Sequence, residues 1–248
     1  MSQSLLCAVT VLGLCAPASL ADTAEDKAAA FVEKRGGTVR RADGNRAGSP
    51  VVDVSFIRTR ATDADLKELA PLKNLTDLTL FRPDVTDAGM KDLAALKSLK
   101  RLALHAPPIS EKGLKELAAL DNLTTLSLNG TKLNGAGLKE LVPLKKLTAL
   151  WLPDTTVTDA DLKELRALPN LTRLQLGDTQ ITDAGLKELV VLKSLDSLYL
   201  GGTPVTDAGL KELAALKNLT YLQLYRVKVT AEGVKELQKA LPKCKIEK

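Results

Sequence analysis

The sequence predicts an α/β solenoid, a curved stack of short units with one concave parallel sheet and helices on its convex side. Three observations carry that expectation. Ala61, Val85, Ile109, Leu133, Val157, Ile181, Val205 and Val229 recur every 24 residues, and a nearly constant run follows each, Val-Thr-Asp-Ala-Gly-Leu-Lys-Glu-Leu-Ala-x-Leu-Lys-Asn-Leu-Thr-x-Leu-x-Leu. Inside one unit the apolar spacing switches from three (Leu210, Leu213, Leu216), which lines one face of a short helix, to two (Leu222, Leu224), which points to one side of a strand. Finally, 45% of the 248 residues are hydrophobic but only 3% are aromatic. The core is therefore one leucine packing scheme used repeatedly, and a unit of this size buries its apolar edge only by stacking on the next.

Taken in order, the chain begins with a short apolar run, Leu5 to Cys15, followed by Pro17 and by Ser19-Leu20-Ala21 before Asp22. The run is shorter than the ~20 residues a membrane span needs. Its small residues before Asp22 suit cleavage after Ala21, so residues 1–21 are expected to be a signal peptide and the mature chain to be exported, periplasmic or extracellular. No Lys or Arg precedes the run, a departure that leaves a retained anchor as the alternative. Cys7 and Cys15 fall in this segment, so Cys244 is the only cysteine of the mature chain and an intramolecular disulfide is excluded. Residues 22–60 are expected to form an N-terminal cap. It contains a helix over 24–34 carrying Ala28, Ala29, Ala30, Phe31 and Val32, a stop at Gly36-Gly37, a strand from Thr38 to Arg41, a polar loop, and a first sheet strand near 51–56.

Residues 61–228 are the repeats, with strands expected over 75–80, 99–104, 123–128, 147–152, 171–176, 195–200 and 219–224. Each helix opens on a residue of the N-capping type: Thr62, Thr86, Ser110, Asn134, Thr158, Thr182, Thr206 and Thr230. Asp63, Asp87, Asp159, Asp183 and Asp207 follow, placing negative charge at the positive end of the helix dipole. Pro71 and Pro143 stop their helices. Gly89, Gly113, Gly137, Gly185 and Gly209 recur in the first turn, where glycine costs helix stability, so a close backbone approach between stacked units is expected there. Residues 229–248 form a C-terminal cap in which Leu237, Leu241 and Ile246 make a shortened final unit that includes Cys244.

The run Leu171-Thr172-Arg173-Leu174-Gln175-Leu176 resembles the L-x-x-L-x-L signature of the leucine-rich-repeat family. The linking segment Ile/Val-Thr-Asp-x-Gly-Leu resembles the bacterial cysteine-containing and GALA-type repeats, and the likeness extends over 61–241 and back to Val51. It implies a horseshoe-shaped solenoid that binds other macromolecules. The family's usual turn Asn is replaced by Thr131, Thr155, Thr179 and Thr203, whose hydroxyls are able to serve the same backbone groups. Pro83, Pro107 and Val227 lack that hydroxyl, so their turns are expected to be less regular. GALA-like repeats of host-directed effectors accompany an F-box; none is recognisable between Asp22 and Ala61, which argues against a ubiquitin-ligase role.

Composition and motifs narrow the function. The net charge is +5, but in most repeats Lys and Glu are neighbours, as in Leu114-Lys115-Glu116-Leu117, and the surplus sits near the ends. With no basic stripe along the middle, nucleic acid is not an expected partner. The single histidine, His105, and the single mature cysteine are far apart in sequence, which gives neither a catalytic set nor a metal site. No phosphate-binding glycine motif is present. A non-enzyme without cofactor is expected, probably the simplest case of a monomer with no membrane span after signal cleavage. On each strand the leucines face the core, so the residues between them face the concave side, and they include the only Trp, all three Tyr and one of three Phe. Aromatics and Arg are enriched at binding hot spots, so Phe81, Arg101, His105, Trp151, Arg173, Tyr199, Tyr221 and Tyr225 are the candidate ligand-binding residues. The bland alternative is that Tyr and Trp simply suit strand surfaces. The expected function is extracytoplasmic protein binding through the concave face; the second reading is carbohydrate or cell-envelope binding by sugar stacking on the same aromatics.

Overall fold

The computed structural model describes residues 23–46 and 48–248. The signal peptide expected over 1–21 lies outside them. Among the described residues one sheet contains β1 (Thr38–Arg41), β2 (Val51–Phe56), β3 (Asp77–Phe81), β4 (Arg101–His105), β5 (Thr125–Asn129), β6 (Ala149–Trp151), β7 (Arg173–Gln175), β8 (Ser197–Tyr199), β9 (Tyr221–Gln223) and β10 (Lys245–Glu247), in chain order. β1 pairs antiparallel with β2, and every later pair is parallel. The helices are α1 (Ala24–Lys34), α2 (Asp63–Glu68), α3 (Asp87–Leu93), α4 (Glu111–Glu116), α5 (Gly135–Glu140), α6 (Asp183–Leu189), α7 (Asp207–Leu213) and α8 (Ala231–Ala240). Each repeat connects strand to helix to next strand, so the fold is the leucine-rich-repeat solenoid, with helices lining one side of the sheet.

The register advances by one repeat at each step. Leu78, Leu102, Leu126, Leu150, Leu174, Leu198 and Leu222 are partners across successive strands, and all are buried. The repeat strands begin two residues later than the leucine signature suggests. The first leucine of each signature is spent in a turn, with Leu75 N donating to Leu72 O, Leu99 N to Leu96 O and Leu123 N to Leu120 O. The parallel ladder starts with the next residue, where Thr76 N donates to Val52 O and Lys100 N to Thr76 O. In the unit between α5 and α6, Asp159–Ala167 is a 3₁₀ helix rather than an α-helix. Leu162, Leu165 and Leu168 still face the core, because a spacing of three suits three residues per turn.

The N-cap expectations hold throughout the repeats, and the first-turn acids do more than complement a dipole. Asp183 Oδ1 accepts the Thr206 backbone N–H at 2.8 Å, and its Oδ2 accepts the Thr206 hydroxyl at 2.6 Å, one repeat further on. The same pair of bonds joins Asp63 to Thr86, Asp87 to Ser110, Asp159 to Thr182 and Asp207 to Thr230. This corrects the reading of the glycines. A Cβ on Gly209 would meet the Asp183 carboxylate, and one on Gly89 the Asp63 carboxylate, so the close neighbour is an aspartate side chain of the preceding repeat before it is backbone.

The turns after the strands are more uniform than expected. Arg82, Ala106, Gly130, Asp154, Asp178, Gly202 and Arg226 all have positive φ, between 44° and 74°. Thr155, Thr179 and Thr203 donate to Leu152 O, Leu176 O and Leu200 O at 2.8, 2.6 and 2.7 Å, and Thr131 donates likewise to Leu128 O. At Pro83 and Pro107 that bond is absent, yet the ladder continues beside them, with Arg82 N on His105 O and Ala106 N on Asn129 O. An apolar ring or side chain fills the threonine's buried place, and the backbone path is unchanged.

Both ends are covered. α1 buries Ala28, Ala29 and Val32 against the first repeat. Arg35, at the end of α1, makes a two-pronged ion pair with buried Asp65, at 2.8 and 3.0 Å. At the other end Leu237, Leu241 and Cys244 are buried and β10 extends the sheet.

Candidate functional site

The sheet face away from the helices carries the residues between the leucines, in rows set by the register. One row runs Ser127, Trp151, Gln175, Tyr199, Gln223, and another runs Arg101, Thr125, Ala149, Arg173, Ser197, Tyr221, Lys245. Trp151 and Tyr199 lie two strands apart, yet their ring centroids are 5.3 Å apart at 51°. They meet over Gln175, whose Oε1 is buried and has no hydrogen-bond partner. Tyr221 adds a third ring, 5.2 Å from Tyr199 at 48°. Tilted contacts of this kind are favoured by the ring quadrupoles.

This ladder ends on the C-terminal strand. Tyr221 and Tyr225 both donate to Glu247 Oε2, at 2.7 and 2.9 Å, and Lys245 pairs with the same carboxylate. The Lys245 ammonium lies 6.0 Å from the Tyr221 ring centroid. Lys245 and the two phenols hold the Glu247 carboxyl down at about 2, while the hydrogen bond to Glu247 and burial push the Tyr221 phenol up to about 12. Tyr221 and Tyr225 thus also fasten the C-terminal cap. Sequence reasoning missed Lys245 and Glu247. The signal was present, since 24 residues added to Tyr221 and Gln223 land on them.

Phe81 and His105 form a separate group, with centroids 5.6 Å apart and the Arg82 guanidinium 5.7 Å from the Phe81 centroid. Burial lowers the His105 pKa, so the imidazole is neutral at pH 7. Arg101 pairs with Asp77, whereas Arg173 is exposed and has no ion-pair partner among the described residues. A hollow of about 370 Å³, lined by Asp77, Thr79, Arg101, Ala103, Thr125, Ser127 and Trp151, connects the two groups. The eight expected residues therefore share one face but fall into two clusters separated by small polar side chains.

The chemistry available is recognition. Among the described residues no group of three His, Cys, Asp or Glu is placed to hold a metal ion, and no helix is long and apolar enough to cross a membrane. Burial pushes the Cys244 thiol up to about 11, so it is protonated and unreactive at neutral pH.

Comparison with known proteins gives a consistent picture. A family model described as Leucine Rich repeat matches residues 167–190. No curated protein matches the sequence. Among solved structures, an internalin from Listeria monocytogenes is 24% identical with a TM-score of 0.53, over 74% of this chain and 56% of its own. An internalin C2 from the same organism is 24% identical with a TM-score of 0.60, over 79% of this chain and 80% of its own. The chain thus spans little more than half the length of the first of these and most of the second. The architecture common to all three is the leucine-rich-repeat solenoid of bacterial proteins, and it is the fold of this chain.

Proposed function

We propose that this chain is a non-catalytic, extracytoplasmic protein-binding module that presents its concave face to a partner. Residues 1–21 would be the export signal, 22–60 and 229–248 the caps, and 61–228 the repeats, of the cysteine-containing or GALA-like type by their Ile/Val-Thr-Asp-x-Gly-Leu segment. The observation that carries this reading is the Trp151–Tyr199–Tyr221 ladder, three rings packed on rigid strands in a chain that has one Trp and three Tyr. A preorganised aromatic surface loses little conformational entropy on binding. The unpartnered Gln175 Oε1 beneath the rings fits the same reading, since a donor from a partner would satisfy it.

The ring tilts bear on the carbohydrate alternative. A pyranose stacks on an open aromatic face, whereas here Tyr199 has a neighbouring ring on either side at 51° and 48°. That packing favours a protein surface, which interdigitates with tilted rings, over a sugar. The test is capture of partners from extracellular and envelope extracts by the wild-type protein and by Trp151→Ala/Tyr199→Ala, both verified as folded by circular dichroism. Truncating two hot-spot aromatics is expected to cost at least ~2 kcal/mol, roughly thirtyfold in affinity. Equal capture by both proteins would reject this face as the site, and competition by soluble cell-wall glycans would favour the carbohydrate reading.

A further inference from the structure

Ile57 and Phe81, 60% and 41% exposed, are two of the exposed large hydrophobic side chains among the described residues. They occupy one repeat position, 24 residues apart, at the ends of β2 and β3. A hollow of about 380 Å³ opens beside them, lined by Ile57, Arg58, Thr59, Arg60, Phe81 and Arg82. Three of those six residues are arginines and none is acidic. Arg60 is fixed, since its Nη2 pairs with Asp84 at 2.6 Å and its Nε donates to Arg82 O at 3.1 Å. That bond holds the turn in which Arg82, at φ 44°, lays its guanidinium near the Phe81 ring.

The charge here is uncompensated in a way the rest of the N-terminal cap is not. Arg35, Arg40 and Arg41 are paired with Asp65, Asp53 and Asp26. Arg58 and Arg82 are exposed and have no ion-pair partner among the described residues. Further along, their repeat position holds Ala106, Gly130, Asp154 and Asp178, so the basic character is confined to this end and then reverses. A nucleic-acid strand following that row would meet carboxylates, and two free arginines are too few for a membrane surface, where each basic residue adds only ~1 kcal/mol. Two planar cations flanking an apolar pair instead match carboxylates flanking one apolar side chain.

We propose that this edge docks an acidic polypeptide segment carrying a single bulky apolar residue, its carboxylates on Arg58 and Arg82 and its apolar side chain over Ile57 and Phe81. The site is distinct from the Trp151–Tyr199 ladder and does not depend on it. The test titrates the full chain against a labelled peptide of Glu and Asp residues flanking one Leu, followed by fluorescence anisotropy. Saturable binding is expected, weakened about tenfold or more by Arg58→Glu/Arg82→Glu, by Phe81→Ala, and by exchanging the peptide's Leu for Ser. Trp151→Ala should leave it unchanged. Arg58→Glu alone, at a side chain without an ion pair, covers the case in which the double variant fails to fold. Absence of saturable binding, equal binding by the charge-reversed proteins, or preferential binding of phosphatidylserine vesicles or a single-stranded oligonucleotide would overturn the proposal. Peptide binding that is lost in Trp151→Ala but kept in Arg58→Glu/Arg82→Glu would overturn it too, while leaving the concave-face reading intact.

Discussion

Asp183 and Gly209 show how single residues set the spacing between repeats. Each N-cap residue has a backbone N–H and a side-chain donor to satisfy, and in five junctions an aspartate of the preceding repeat accepts both. At Thr158 the preceding repeat offers Gly135 instead, and Asp161, within the same helix, takes both donors at 2.9 and 2.8 Å. A Cβ on Gly135 would meet that Asp161 carboxylate, just as one on Gly209 would meet Asp183. Each such junction thus has room for one carboxylate, supplied from either side. Gly209→Ala is therefore expected to destabilise the protein by ~1–3 kcal/mol, the usual range for overpacking, in urea unfolding. The exchange Asp183→Gly/Gly209→Asp rebuilds the Gly135/Asp161 arrangement and should recover most of the loss. No recovery would mean that the backbone approach, rather than the shared carboxylate, sets the spacing. The glycine and the aspartate were each visible in the sequence, but their partnership was not, because it joins positions 26 residues apart whose contact exists only once the repeats stack.

At the scale of the element, the repeat period made the strand order and register legible, and the N-cap residues located every repeat helix. What periodicity does not contain is how an element ends. The strands begin late because leucines such as Leu75 spend their N–H in a turn. β10 went unforeseen because the repeat pattern decays there into Lys245-Ile246-Glu247, and tertiary bonds complete it. Glu247 is the fastening. Its depressed pKa means that this contribution is present above the ordinary carboxyl value of 4.5 and is lost as pH falls toward about 2. The raised Tyr221 value works in the opposite sense, present below 10.0 and lost as pH rises toward about 12. Glu247→Gln is therefore expected to bring Tyr221 ionisation back toward 10.0, read by ultraviolet difference titration. It should also speed hydrogen exchange at the Leu224 and Lys245 amides, which bond across the β9–β10 pair. A Tyr221 titration that does not move would show that burial rather than the carboxylate sets its value.

For the whole molecule, stability is a sum of similar junctions, and the solvent condition that acts on all of them together is acid. The hydroxyl of Ser110 holds the Asp87 pKa down, that of Thr230 holds Asp207 down, and Asp65, although burial pushes it up, is brought below its ordinary value by Arg35 and Thr62. A carboxylate with a lowered folded-state pKa stabilises above its unfolded value, here 3.8, and loses that contribution as pH falls through the folded value. His105 adds an earlier step. Burial lowers its pKa below 6.5, so the unfolded chain takes up a proton first and stability begins to fall once pH drops below 6.5. Thermal melts across this range should therefore show a plateau above 6.5, a shallow single-group decline beneath it, and a steep collective decline below about 4. His105→Gln should remove the shallow step and leave the steep one, because the imidazole packs on Phe81 and shares no bond with the carboxylate junctions. If the shallow step survives that substitution, the early proton uptake belongs to another group. If the steep step moves with it, the two ends of the solenoid are coupled more tightly than a chain of nearest-neighbour contacts permits.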